Sequence, residues 1–476
     1  MGEIRKALFS DPLFLSVRES LGEVLPNKIF IFGRCITDFL FLKTPRGILL
    51  GCECDASKVV SNLCKSSDFR EIPLRNRDIY HLYSKIHGGR KVTVVNIKEG
   101  IMGVLAGCGF SATAMAIDLG EPLLKLIDPF GGISSLNERK LRLTKKSALL
   151  LDPAKIFVGV ELCASFGLSV SDETMLSIKD ASCRLSSNIT PRIWKAFSRI
   201  LEAPDFTSSA KLLRNTGVLS RILPEIERIY GIPQNYYHHL GVWEHTIETI
   251  SFLDDIFKET SNYFPAYGRR ISKRLERSLD SGLSRKSFLL LAALLHDIGK
   301  AECMKVEPSG RIRFRGHHIA GERLVSGIAR RLPIGNAGRM YLRDLVGNHM
   351  IFGFLLKRGE TVKERLRAIF ELGSNCPDVV LLSLADRLAT RGEASTEEEL
   401  ERFRRLLSRV VADYFWCVET PQILDGADII ALKSGIGGKE IRENLFSIRV
   451  AQREGIISTL KEAVHFVAPE AGRNEY

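Results

Sequence analysis

Residues 288–300 read Phe-Leu-Leu-Leu-Ala-Ala-Leu-Leu-His-Asp-Ile-Gly-Lys, an unbroken apolar run from Phe288 to Leu295 that ends in the doublet His296-Asp297. The run predicts a buried helix, and Gly299 supplies its stop. A carboxylate leaving such a helix beside an imidazole is costly unless it is paired or metal-bound. Seven of the chain's ten histidines lie between His238 and His349, so the doublet stands in the densest imidazole region.

On one side of the doublet, His245 sits in Gly-Val-Trp-Glu-His-Thr. Positions 245, 249, 252 and 256 share a helical face, which Phe252 and Ile256 make apolar, so His245 is expected to point inward. On the other side come His317 and His318 after Gly316, His349 in Leu-Val-Gly-Asn-His-Met, and Asp386 in Leu-Ser-Leu-Ala-Asp-Arg. Singly, each reads as a satisfied core residue, and Asp386 as a partner of Arg387 or a helix cap. In the order His, His-Asp, His, His, Asp they predict facing helices that enclose a divalent cation. The mixture of oxygen and imidazole donors suits Mn, Ni, Co, Fe or Mg without choosing among them.

With 476 residues, 45% hydrophobic and 26% charged, the chain has core enough for two to four domains. The ten cysteines form no CxxC pair and the first thirty residues lack a signal-peptide pattern, so a reducing, cytoplasmic setting with free thiols is expected. No apolar stretch is read as approaching the roughly 20 residues that cross a bilayer, so no membrane partner is expected. A net charge of +12 favours phosphate-bearing partners. Strands are expected at Lys28–Phe32, Gly47–Cys52, Lys91–Ile97, Ala112–Leu119 and Leu123–Ile127, the last two joined by a Gly120-Glu121-Pro122 turn. From about Lys145 the pattern becomes helical, with helices over Pro191–Ala203 and Ser209–Tyr230. The basic stretch Tyr267–Lys286 reads as a surface excursion, and the residues after Glu401 as helices ending in a polar tail.

Trp-Glu-His-Thr, Leu-Leu-His-Asp-Ile-Gly-Lys, Arg-Gly-His-His-Ile-Ala-Gly and Leu-Ala-Asp-Arg together resemble the HD-domain phosphohydrolases. The resemblance implies that His245, His296, Asp297 and Asp386 hold one divalent metal. It implies that His317 and His349 add a second ion, with Asp297 bridging, so one or two ions per chain. The family's Gly-His-Glu is here Gly316-His317-His318; His317, directly after the glycine, is taken as the ligand, with His318 the alternative. Asp297 is assigned a catalytic role, and so is Lys300, read either as a phosphate contact or as a solvated residue past a helix end.

Ala112–Gly132, Ile31–Phe41, Asp152-Pro153 with the helix after it, and Gln422–Gly435 resemble the poly(A) polymerase and CCA-adding tRNA nucleotidyltransferase family, a likeness that covers nearly the whole chain. The fold class it implies is α+β: a small mixed α/β nucleotidyltransferase-like head (1–144), expected to be inactive, an all-α neck (145–235) whose Lys and Arg residues could hold RNA by phosphate contact, an all-α HD domain (236–400) and a helical tail (401–476). In this family, paired carboxylates hold two Mg²⁺ ions for nucleotidyl transfer. Aligned with it, Arg34 stands in a Gly-Gly turn, Asp38 survives, and Gly47-Ile48-Leu49 replaces an Asp-x-Asp. Asn96 takes the third acidic position, Cys108–Ala114 replaces Arg-Asp-Phe-Thr-Ile-Asn-Ala, and Leu151-Asp152-Pro153-Ala154-Lys155 replaces Glu-Asp-Pro-Leu-Arg. Asp128 and Gly131-Gly132 then read as a structural turn.

These readings lead to the expectation of a metal-dependent phosphohydrolase acting on a nucleotide or RNA phosphoester, tRNA among the candidates, behind a degenerate head. One alternative is an active tRNA nucleotidyltransferase with an accessory HD domain, its acids displaced to Glu53 and Asp55. Another is a non-catalytic RNA-binding protein. Oligomeric state is not legible.

Overall fold

The computed structural model describes residues 2–22, 28–73, 78–121, 123–234, 240–392, 396–433 and 435–469. Pro122 of the expected turn, His238 and the end of the polar tail lie outside the described residues. The chain forms two compact units, Met1–Ile222 and Leu223–Tyr476.

The first unit is built on a seven-stranded sheet, ordered β3-β4-β5-β2-β1-β6-β7. Its strands are β1 (Ile29–Phe32), β2 (Gly47–Cys52), β3 (Phe69–Ile72), β4 (Ile79–Ser84), β5 (Lys91–Asn96), β6 (Ala116–Asp118) and β7 (Leu126–Ile127). β2 and β5 run parallel, with Gly47 beside Lys91 and Cys52 beside Asn96; the other pairings are antiparallel. Central position explains the composition of β1, whose four residues Ile-Phe-Ile-Phe are all buried.

Three sequence expectations change here. The Ala112–Leu119 strand begins only at Ala116, because Ser111–Thr113 closes a 3-10 turn in which Ala114 N donates to Ser111 O at 2.9 Å. Of Leu123–Ile127 only the last two residues pair; Leu123 is exposed and Leu124 takes a positive φ of 49°. The helix expected over Ser209–Tyr230 is broken into Phe206–Asn215, Val218–Ile222 and the 3-10 turn Pro224–Ile229. Gly217 at φ 74° and Pro224, which has no N–H to give, make the breaks.

Among the described residues, the regular structure of the second unit is helical apart from two short hairpins. Tyr267–Lys286 is not a surface excursion: it contains the helix Gly268–Leu275 with Ile271 and Leu275 buried, then a hairpin over Ser278–Ser284. Two of its arginines are drawn inward by charge, since Arg274 and Arg285 both pair with the fully buried Asp378, at 3.0 and 2.7 Å. One stretch, Val362–Leu388, is long and apolar enough to span a bilayer, which corrects the expectation that none is. It is 72% buried within the protein, and its packing is that of core helices. After Glu419 the helices Gly426–Leu432, Gly438–Arg453 and Leu460–Val467 close over a small core of their own around Leu424, Ile429, Ile448 and Ile457.

Candidate metal centre

Five helices of the second unit bring the sequence-predicted ligands together. His245 enters from the first turn of Val242–Lys258, His296 ends Arg285–Leu295, His317 begins His317–Arg331, and His349 ends Asn336–Asn348. Asp386 comes from Cys376–Leu388. The apolar faces of these helices pack them, and the site sits where their polar ends meet.

Three imidazoles are oriented by one local device. Nδ1 of His296 donates to Ala293 O at 2.8 Å, Nδ1 of His317 to Phe314 O at 2.9 Å, and Nδ1 of His349 to Val346 O at 2.8 Å. A carbonyl oxygen can only accept, so each Nδ1 carries the proton and each Nε2 turns its lone pair inward. His245 is fully buried, with Nε2 at 2.9 Å from Asp386 Oδ1. Asp386 pairs in this way and not with Arg387, which reaches Glu399 instead.

Asp297 lies between two sets of imidazoles. Its Oδ2 is 3.2 Å from His296 Nε2 and 3.6 Å from His245 Nε2, while its Oδ1 is 3.3 Å from His317 Nε2 and 3.9 Å from His349 Nε2. The ligand atoms thereby form two groups, His245 with His296 and Asp386, and Asp297 with His317 and His349, each within 4.8 Å. His318 is turned away onto Phe354, with ring centroids 5.6 Å apart, so of the adjacent pair it is His317 that faces the cluster.

The donors fit a divalent cation. His317 and His349 place Nε2 against Nε2 at 3.3 Å with both Nδ1 protons committed elsewhere, an arrangement of facing lone pairs that calls for positive charge between them. His296 Nε2 is buried with no hydrogen-bond partner. Burial by itself would lower the His296 pKa, but with no cation present Asp297 and Asp386 pull it up to about 10, so a bound ion would take the place of a proton on Nε2. Burial, reinforced by His296 and His317, pushes His349 down to about 3. Asp297 and Asp386 resist the upward push of burial and are held well below the usual carboxylate range, by His296 and Lys300 in the first case and by His245 and His296 in the second.

Lys300 is not a solvated residue past a helix end. It is 5% exposed, its Nζ is 2.6 Å from Asp297 Oδ2, and it donates to Gln234 Oε1 at 2.6 Å. Gln234, 66 residues away along the chain, was invisible to sequence reasoning because nothing in its local pattern marks it. Gly299 is required by close approach: a Cβ there would strike the His317 carbonyl and stand 2.5 Å from Gly321 N. Gly299→Ala is expected to displace His317 and to cost about 1–3 kcal/mol, measured as a lowered urea midpoint. An unchanged midpoint would contradict this packing.

In the first unit the acids are dispersed. Arg34 pairs with Asp38 at 3.0 Å and Glu161 at 3.2 Å, and its guanidinium lies 4.6 Å from the Phe166 ring centre. Burial raises the pKa of Asp38 against the opposing pull of Arg34. An added side chain at Gly47 would collide with the Lys91 carbonyl. Glu53 Oε1 accepts from Ile101 N at 2.9 Å, and Asp55 caps the helix Ala56–Lys65 by accepting from Ser57 N at 2.9 Å. Asp152 pairs with Lys155 and Arg192, and Asp128 holds the Gly132 and Ile133 amides in a turn. Among the described residues, both groups able to share an ion are in the second unit.

Comparison with known proteins adds what geometry cannot. A family profile described as the probable RNA and SrmB-binding site of polymerase A matches residues 167–230, and an HD domain profile matches residues 242–391. An A-adding tRNA nucleotidyltransferase of Deinococcus radiodurans is 28% identical over 75% of this chain and 76% of its own length. A CC-adding tRNA nucleotidyltransferase of Thermus thermophilus is 28% identical over 71% of each chain. The fold is that of a Thermotoga maritima CCA-adding enzyme complexed with tRNA, with a TM-score of 0.64 over 98% of both chains at 16% identity.

These relatives overturn the expectation that a phosphohydrolase centre is the chain's principal chemistry. They are named for nucleotide addition to tRNA, and their likeness runs through both units instead of stopping at the HD segment. The RNA-binding segment, the HD domain and the shared fold together support the likeness of the chain to the poly(A) polymerase and CCA-adding tRNA nucleotidyltransferase family, with an HD domain in its second half.

Proposed function

We propose that the chain is a tRNA nucleotidyltransferase with an accessory, metal-holding HD domain. Residues 1–144 form its head, 145–235 its neck, 236–400 the HD domain and 401–476 the tail. The observation that carries this reading is the extended likeness to the A-adding and CC-adding enzymes. RNA with a free 3′ end and nucleoside triphosphates are then its substrates. In the head, Glu53 and Asp55, at the carboxyl end of β2, are the acids assigned to transfer.

In the HD domain His245, His296 and Asp386 would hold one divalent ion and His317 and His349 another, with Asp297 reaching both. Such an ion, Mn, Ni, Co, Fe or Mg, acidifies bound water and neutralises phosphate charge. Lys300 fixes the Asp297 carboxylate, and Gln234 fixes Lys300.

A second reading, an RNA-binding protein that does not extend its RNA, is favoured by the glycine and leucine at positions 47 and 49. Incubation of the protein with labelled CTP or ATP and tRNA lacking its 3′ end decides between them. Incorporation is expected, and Glu53→Ala or Asp55→Ala should reduce it by about two orders of magnitude, since metal clamping of phosphate is worth several kcal/mol. Wild-type protein that binds tRNA without extending it would establish the second reading instead.

A further inference from the structure

Behind the helix that carries Asp386, the second unit holds a cavity of about 660 Å³, a volume that suits a ligand of nucleotide size. Its apolar lining is Phe264, Leu384 and Leu407, all buried. Leu384 and Asp386 stand two positions apart on Cys376–Leu388, about 200° around the helix axis. The cavity and the metal centre therefore lie on opposite sides of that helix.

The Glu397–Glu419 helix turns Glu401, Arg404, Arg405 and Ser408 toward the cavity, a spacing of three and four that keeps them on one face, and Arg409 lies beside them. Across from them stand Glu259, Asn262 and Tyr263. Three arginines thus meet two acids, and the acids answer them poorly. Glu259 is already bonded by Asn262 Nδ2 at 2.9 Å. Glu401 is 3.7 Å from Arg404 and 3.8 Å from Arg405, and Glu397 is 3.8 Å from Arg404, all beyond hydrogen-bond reach. Arg409 reaches Glu360 only at 3.5 Å, a carboxylate that Arg402 holds at 2.9 Å. Arg404 Nε is buried with no hydrogen-bond partner. A guanidinium can only donate, so that atom calls for an acceptor.

An occupant that matches this lining carries several anionic oxygens at one end and an apolar, flat body at the other. We propose that the cavity is a second small-molecule site of the chain, one that takes a free nucleoside polyphosphate with its phosphates on Arg404, Arg405 and Arg409 and its base against Phe264, Leu384 and Leu407. It uses neither the metal ligands nor the acids of the head, so it goes beyond nucleotide transfer and stands without it. A ligand held there ties Thr260–Tyr263 to Glu397–Glu419 and stabilises the second unit.

The test is photolabelling of the full chain with azido-ATP in EDTA and mapping of the labelled peptides, beside equilibrium binding of ATP. Label is expected within residues 259–264 or 401–409. Arg404→Ala/Arg405→Ala should weaken ATP binding at this site roughly 10- to 100-fold, since each charge-assisted hydrogen bond counts for about one factor of ten. Ser408→Glu, which removes no ion pair and places a carboxylate on an exposed position, should weaken it as well. Adenosine, without phosphates, should bind at least tenfold less tightly than ATP. Absence of label from these segments, or ATP affinity unchanged in both variants, refutes the site and leaves nucleotide transfer by the head untouched. Adenosine binding as tightly as ATP refutes the role given to the arginines. If tRNA lacking its 3′ end displaces the label from these segments, the cavity is an RNA contact and the assignment to a free nucleotide falls.

Discussion

Asp297→Ala is expected to reduce the divalent metal bound per chain to near zero and to destabilise the second unit by about 3–5 kcal/mol. Asp297 is the carboxylate that reaches both imidazole sets, within 3.6 Å of His245 and His296 on one side and 3.9 Å of His317 and His349 on the other. Without it, the His317–His349 set has no carboxylate and the His245–His296 set keeps only Asp386 to draw a cation into a buried site. Lys300, 5% exposed and 2.6 Å from that carboxylate, would be left as a buried cation without its counter-ion. Elemental analysis of the purified variant reads the first effect and urea denaturation of the metal-free protein the second. Full metal content in the variant would disprove the bridging role; an unchanged urea midpoint would disprove the electrostatic one.

Asp378→Ala is expected to cost a similar amount, about 3–5 kcal/mol, without touching the metal ligands. Asp378 is fully buried and anchors Arg274 and Arg285, each only 14% exposed, at 3.0 and 2.7 Å. Alanine would leave two guanidinium groups in the interior with their charge uncompensated. Replacing all three residues by apolar ones of similar volume should recover most of the loss, because desolvation is then avoided as well. A single alanine variant with wild-type stability would mean that water or another acid reaches the arginines.

The family resemblance had one consequence that sequence reasoning weighed wrongly. Gly47, Leu49 and Asn96 stand where acids were sought, and this was read as the loss of the head's part in function. The relatives are named for nucleotide addition to tRNA and their likeness reaches both units, so the HD doublet, however clear its chemistry, is not the measure of the whole chain.

By itself the sequence determined the features that depend on neighbours in the chain. The apolar run Phe288–Leu295 dictated a buried helix, and the strands Gly47–Cys52 and Lys91–Asn96 followed from short β-branched and aliphatic runs. The order of histidines and aspartates pointed to an enclosed cation, and the resemblance of their motifs to the HD-domain proteins named all six candidate ligands. Only the tertiary structure decided which atoms meet. That Asp386 faces His245, 141 residues away, that Asp297 divides its two oxygens between two sets of rings, and that Arg274 is drawn to Asp378 are outcomes of helix packing. The same holds for the arginine-lined cavity of the second unit, where Tyr263 and Phe264 share one space with Leu384, Arg404 and Arg405. Such encounters join residues far apart in the chain, and their energies arise from burial and charge in three dimensions, for which local periodicity carries no signal.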